Sequence, residues 1–144
     1  MLYNGSLITP NLNVLLIDDI KTESVIGPYI RQQGVVDQQA PDPYFTHTAR
    51  RWDPAMQALR YPPPNKWHAL FLDNHLEVDR HDDHLGVQIC EWLRVNPYFL
   101  PKEIFLISFD GPSDKLMYDI LSKVYTKTLK KNLHVYKSIV DLSL

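Results

Sequence analysis

A single cysteine, Cys90, stands in 144 residues, which excludes an internal disulfide framework and points to a reducing compartment. No stretch approaches the roughly 20 apolar residues needed to span a bilayer. Met1 to Pro10 carries no basic region followed by an apolar run, so no secretory leader is expected. Excess charge is also missing. The formal net charge is -2, and nothing in that balance attracts nucleic acid or an anionic membrane surface. There is no internal repeat and no segment of linker composition. What remains has the length of one domain, residues 1–144, expected in the cytoplasm. Its apolar fraction of 44% supplies enough surface to offset the entropy of ordering.

Three apolar runs organise the chain, and each stops at a polar residue. Val14 to Ile17 runs into Asp18-Asp19, Ala69 to Leu72 into Asp73, and Ile104 to Ile107 into Ser108. Continuous rather than alternating apolarity predicts strands buried on both faces, as in a parallel sheet covered by helices. Tyr44 to Thr48 and Leu133 to Tyr136 carry weaker strand patterns.

Helical segments lie between the strands. One runs from about Thr22 to a cap near Gly34. Asp53-Pro54 reads as an N-cap followed by proline, opening a helix to Leu59. Gly86 to Asn96 places Val87, Cys90 and Leu93 on one stripe, which makes Cys90 a core thiol. Ser113 caps a helix through Leu116, Ile120 and Val124. Tyr61-Pro62-Pro63-Pro64-Asn65 is a stiff connection. The alternation predicts an α/β fold, a doubly wound parallel sheet with the first strand between the second and third.

In such sheets ligands bind beyond the carboxyl ends of the strands, where all three runs deliver their polar groups. Neighbouring strands lie about 4.8 Å apart, so Asp18, Asp19 and Asp73 can share one ion. Crowded carboxylates repel unless a cation or proton intervenes. An all-oxygen site with room for water suits Mg²⁺.

Leu16-Ile17-Asp18-Asp19, Phe71-Leu72-Asp73 and Leu106-Ile107-Ser108 resemble the active-site strands of response-regulator receiver domains. The resemblance implies the flavodoxin-like, receiver-type strand order 2-1-3-4-5. It also implies Mg²⁺ on the paired acids, Asp73 as phosphoacceptor, Ser108 against the phosphoryl group, and Lys137 completing the pocket. Between about Asn13 and Val124 the chain is also similar to a receiver-like group proposed to process cyclic phosphates. The matching stretches are Ile17-Asp18-Asp19, Leu72-Asp73-Asn74-His75-Leu76, Gly86 to Trp92-Leu93, and Ile107-Ser108. Two positions depart from that group: its third-strand Asp-His-Asp is Asp73-Asn74-His75, and its fourth-strand His is Ile107. Acid-base work would therefore fall to His75.

Glu77 to His84 reads as a solvated flap beside this edge, with His81 and His84 too unframed to specify a transition-metal site. Arg50-Arg51-Trp52 and Lys127 to Lys131 read as surface charge, and Trp67 and Trp92 as packing residues. The leading function is a receiver-like signalling module whose output is a contact with a protein partner. A metal-dependent enzyme acting on cyclic phosphates through His75, and a degenerate scaffold that binds a partner without metal, are the alternatives. A phosphodonor or a cyclic phosphate would be the small ligand.

Overall fold

The apolar runs become the centre of one sheet. The computed structural model describes residues 12–18, 46–73, 86–107, 111–128 and 134–136. In chain order the elements are β1 (Val14–Ile17), β2 (His47–Ala49), α1 (Trp52–Arg60), β3 (Ala69–Leu72) and α2 (Gly86–Val95). A 3-10 turn (Pro97–Phe99), β4 (Glu103–Leu106), α3 (Gly111–Thr128) and β5 (His134–Tyr136) follow. The strands are ordered β2-β1-β3-β4-β5, and every pairing is parallel. This is the doubly wound, flavodoxin-like order expected from the sequence. The helix expected over 22–34 lies outside the described residues.

The register is flush across the middle of the sheet. Ile17 pairs with Leu72, and Leu72 with Leu106. One set of alternating strand residues, Leu15, Ile17, Leu70, Leu72, Ile104 and Leu106, forms a single core with residues of α1, α2 and α3. The other set, including Leu16, Phe71 and Phe105, is equally buried. Phe71 stacks on Phe105 with ring centroids 4.6 Å apart and planes 9° from parallel. Burial of both sets is what unbroken apolar runs require.

Several boundaries differ from expectation, each for a local reason. The second strand sits at 47–49, and its burial runs from exposed His47 to buried Ala49. An edge strand of that kind has no apolar run to mark it. The N-cap of α1 is Arg51, through its backbone, with no side-chain cap hydrogen bond. Asp53 and Pro54 fall inside the first turn, where proline costs nothing because that N–H has no helical partner. The helix α3 starts at Gly111, two residues ahead of Ser113, and ends at Thr128. Its buried stripe is Met117, Ile120, Leu121 and Val124, while Leu116 is half exposed. In β4 the strand begins at Glu103 and ends at Leu106.

Packing residues behave as expected. Cys90 is buried on α2 with Ile89 and Leu93, and burial first, then Glu91, drives its thiol pKa strongly upward. Trp67 is buried, and its Nε1 donates to the Ala58 carbonyl at 2.9 Å, tying the approach to β3 onto α1. At the amino edge of the sheet, buried His68 places Nε2 4.0 Å from Oε2 of buried Glu103. That separation alone would favour the imidazolium. Burial, with Lys102 adding to it, instead lowers the His68 pKa, and desolvation outweighs so long a contact.

Candidate functional site

The carboxyl edge of the sheet is built by hydrogen bonds that carry the ladder one residue past each strand. The Asp18 N–H donates to the Ala49 carbonyl at 3.1 Å, Asp73 N–H to Ile17 at 2.9 Å, and Ile107 N–H to Leu72 at 3.0 Å. Asp18 and Asp73 are therefore locked, backbone first, one step beyond the paired residues Ile17 and Leu72 on adjacent strands. Both are buried, Asp18 with 0% and Asp73 with 5% of its surface exposed. Asp18 Oδ2 accepts no hydrogen bond among the described residues, although Asp18 and Asp73 each take part in other polar interactions.

Two acidic side chains brought out of water on neighbouring strands are costly unless their charge is met by a cation, a proton or donors. Their oxygens are hard donors, suited to Mg²⁺ rather than to a soft transition metal. The residues present thus fit the ion implied by the sequence. Among the described residues no three His, Cys, Asp or Glu side chains gather as a metal-binding group. Of the residues expected to hold that ion, the described ones are Asp18 and Asp73.

Of the other expected site residues, Asp19, His75, Ser108 and Lys137 lie outside the described residues, as does the Glu77 to His84 segment. The strand positions that lead to two of them are described. Asp19 follows Asp18, and Ser108 follows Ile107, whose backbone is held to β3.

Three features escaped the sequence reading. The His68–Glu103 pair was hidden because an acid does not ordinarily open a buried strand. Lys66 adopts a left-handed backbone, with φ of 61°, at a position where glycine or asparagine is usual. A run of cation and aromatic contacts links the ends of α1 and α2. The signal for the last two was the turn-rich composition of Pro62-Pro63-Pro64-Asn65-Lys66 and Asn96-Pro97-Tyr98-Phe99.

No family model matches the chain, and no curated protein does. Solved structures of similar shape include the RcsB response regulator of Salmonella typhimurium, with 17% identity and a TM-score of 0.49. That match covers 92% of this chain and 56% of RcsB. The isolated REC domain of RcsB from Salmonella enterica serovar Typhimurium, with phosphomimetic BeF3-, gives 15% identity and a TM-score of 0.49. It covers 92% of this chain and 98% of that one. The Thermotoga maritima response regulator DrrB, an OmpR/PhoB homologue, gives 15% identity and 0.43, over 76% of this chain and 42% of DrrB. The chain thus spans about half the length of the two longer regulators. At these scores the likeness is loose, and the site's chemistry rests on its own residues. No helix among the described residues is long and apolar enough to cross a membrane.

Proposed function

We propose that the chain is a receiver-like signalling module that holds Mg²⁺ on Asp18, Asp19 and Asp73 and accepts or senses a phosphoryl group at Asp73. The observation that carries this reading is the burial of Asp18 and Asp73 at register-adjacent positions on the carboxyl edge of the sheet. Mg²⁺ bound there supplies positive charge to balance the carboxylates and the phosphoryl oxygens.

The remaining work falls to the chain's own groups. An Asp73 carboxylate oxygen forms the new bond to phosphorus as the donor's P–O or P–N bond breaks, and the leaving group departs with the electron pair. The Asp73 N–H held by Ile17 keeps the backbone from drifting, so the carboxylate is presented from a fixed point. Ser108 and Lys137 supply donors for the phosphoryl oxygens. The output is a contact with a protein partner. The cyclic-phosphate alternative draws on His75 and on the motif order of the sequence.

The test is uptake of beryllofluoride with Mg²⁺, followed by calorimetry and by amide shifts around Asp18 and Asp73. Wild-type protein takes up the analogue only when Mg²⁺ is present, and Asp73→Asn does not. Absence of Mg²⁺-dependent uptake by wild type, or unchanged uptake by Asp73→Asn, would remove the phosphoacceptor role. Uptake without turnover of a 2′,3′-cyclic nucleotide separates the module from the enzyme.

A further inference from the structure

At the other end of the sheet the structure carries a surface unrelated to the acidic pair. Five side chains touch in sequence. The Arg60 guanidinium lies 5.8 Å from the Trp92 ring centroid, and Trp92 meets Phe99 at 5.4 Å. Phe99 meets Tyr98 edge-on at 5.2 Å, and the Lys66 ammonium sits 4.0 Å above the Tyr98 ring. The line joins the last turn of α1, the proline-rich turn before β3, the end of α2 and the 3-10 turn before β4.

Much of this corner is apolar and left in water. Tyr61, Tyr98 and Val95 are 75%, 70% and 65% exposed, the three highest values among the large apolar side chains described. A cluster of this kind marks an interaction site more often than scattered exposed residues do. The charge is one-sided. Over 57–66 and 91–102 the charged residues are Arg60, Lys66, Arg94 and Lys102 against Glu91 alone. Glu91 is taken up by Arg94, with Nε donating to Oε2 at 2.7 Å. A chain of net charge -2 thus concentrates positive charge on one aromatic corner.

Lys66 provides a second, independent observation. Its left-handed backbone is strained for any residue with a Cβ. The turn holds it there: the Lys66 N–H donates to the Pro63 carbonyl at 2.8 Å, and the Lys66 carbonyl accepts from Asn13 Nδ2 at 3.1 Å. Glycine would serve that turn with less strain. What lysine adds is an ammonium set over Tyr98.

We propose that this corner docks an acidic peptide segment, with carboxylates set on either side of an aromatic or aliphatic anchor. The carboxylates meet Arg60, Lys66 and Lys102, and the anchor packs between Tyr61, Val95 and Tyr98. A peptide fits better than single-stranded nucleic acid. Cations already cover a face of Trp92 and of Tyr98, the faces on which bases would stack. The surface lies at the amino edge of the sheet and the acidic pair at the carboxyl edge, so neither proposal depends on the other.

The experiment titrates the isotope-labelled 144-residue chain with a synthetic peptide in which aspartates and glutamates flank a central Leu-Trp. Amide shifts are expected to cluster at Arg60–Lys66 and Trp92–Tyr98, with binding weakened about tenfold by a rise to high salt. The same peptide with Asn and Gln replacing its acids is expected not to bind. Lys66→Gly should weaken binding about fivefold while its melting temperature stays at or above that of wild type, since the turn is relieved. The proposal is overturned by an absence of shifts up to about 1 mM peptide, by equal binding of the neutral peptide, or by undiminished binding to Lys66→Gly. Saturable binding of a short single-stranded RNA to the same residues, with none of the peptide, would overturn the choice of partner.

Discussion

Replacing Asp73 with asparagine should reverse the order of stability between variant and wild type when Mg²⁺ is added. Asp73 and Asp18 are buried and follow paired residues on adjacent strands. Two carboxylates separated by the spacing of neighbouring strands, about 4.8 Å, repel by about 3 kcal/mol at an effective dielectric of about 20. Nearby donors and residual repulsion in the unfolded chain reduce what one neutralisation recovers, leaving about 1–2 kcal/mol. At this chain length that raises the melting temperature by about 3–6 °C in chelator. Magnesium present at about 100 times its dissociation constant stabilises wild type by about 2.7 kcal/mol. The variant, one anionic ligand short, gains much less. Asparagine keeps the shape and one acceptor oxygen, so packing changes little. Differential scanning calorimetry with chelator and then with Mg²⁺ reads both halves. Equal melting temperatures in chelator, or equal Mg²⁺ shifts, would refute the idea that the two acids share one electrostatic site.

Two further outcomes probe the frame around the site. Phe71→Ala, which removes a fully buried ring stacked on Phe105, should cost about 3–5 kcal/mol in urea denaturation. A loss under about 1 kcal/mol would mean that this side of the sheet is not packed as described. His68 gives a pH signature. Its folded pKa lies below the unfolded value of 6.5, so the unfolded chain binds the proton first. Stability is then full above the unfolded pKa and falls as pH drops through it, by up to about 1.4 kcal/mol per pH unit. His68→Asn should flatten that decline between about pH 7 and 5. If the variant and wild type lose stability in parallel, the buried neutral imidazole is misassigned.

By itself the sequence determined the central strands and the polar residue that ends each of them. Val14–Ile17 and Ala69–Leu72 appear as strands with the boundaries their apolar runs predict, because a strand buried on both faces must be apolar at every position. The alternation of those runs with helical stripes was enough for a parallel, doubly wound order. Residues whose state depends on a neighbour could not be read in this way. At His47–Ala49 the strand exists through its pairing with β1, and the sequence carried only a weaker strand pattern there, read over 44–48. Glu103 opens β4 because the ladder places it beside Ala69, with buried His68 close by. The cap of α1 moved to Arg51 because a backbone carbonyl can begin a helix without a capping side chain. Asp18 and Asp73 stand 55 positions apart in the chain, and register alone makes them neighbours. The corner that brings Arg60 and Lys66 against Trp92, Tyr98 and Phe99 likewise joins segments distant in sequence. Tertiary pairing decided these, since local patterns record what a residue does to its own strand or helix, whereas charge and contact across elements exist once the chain has closed.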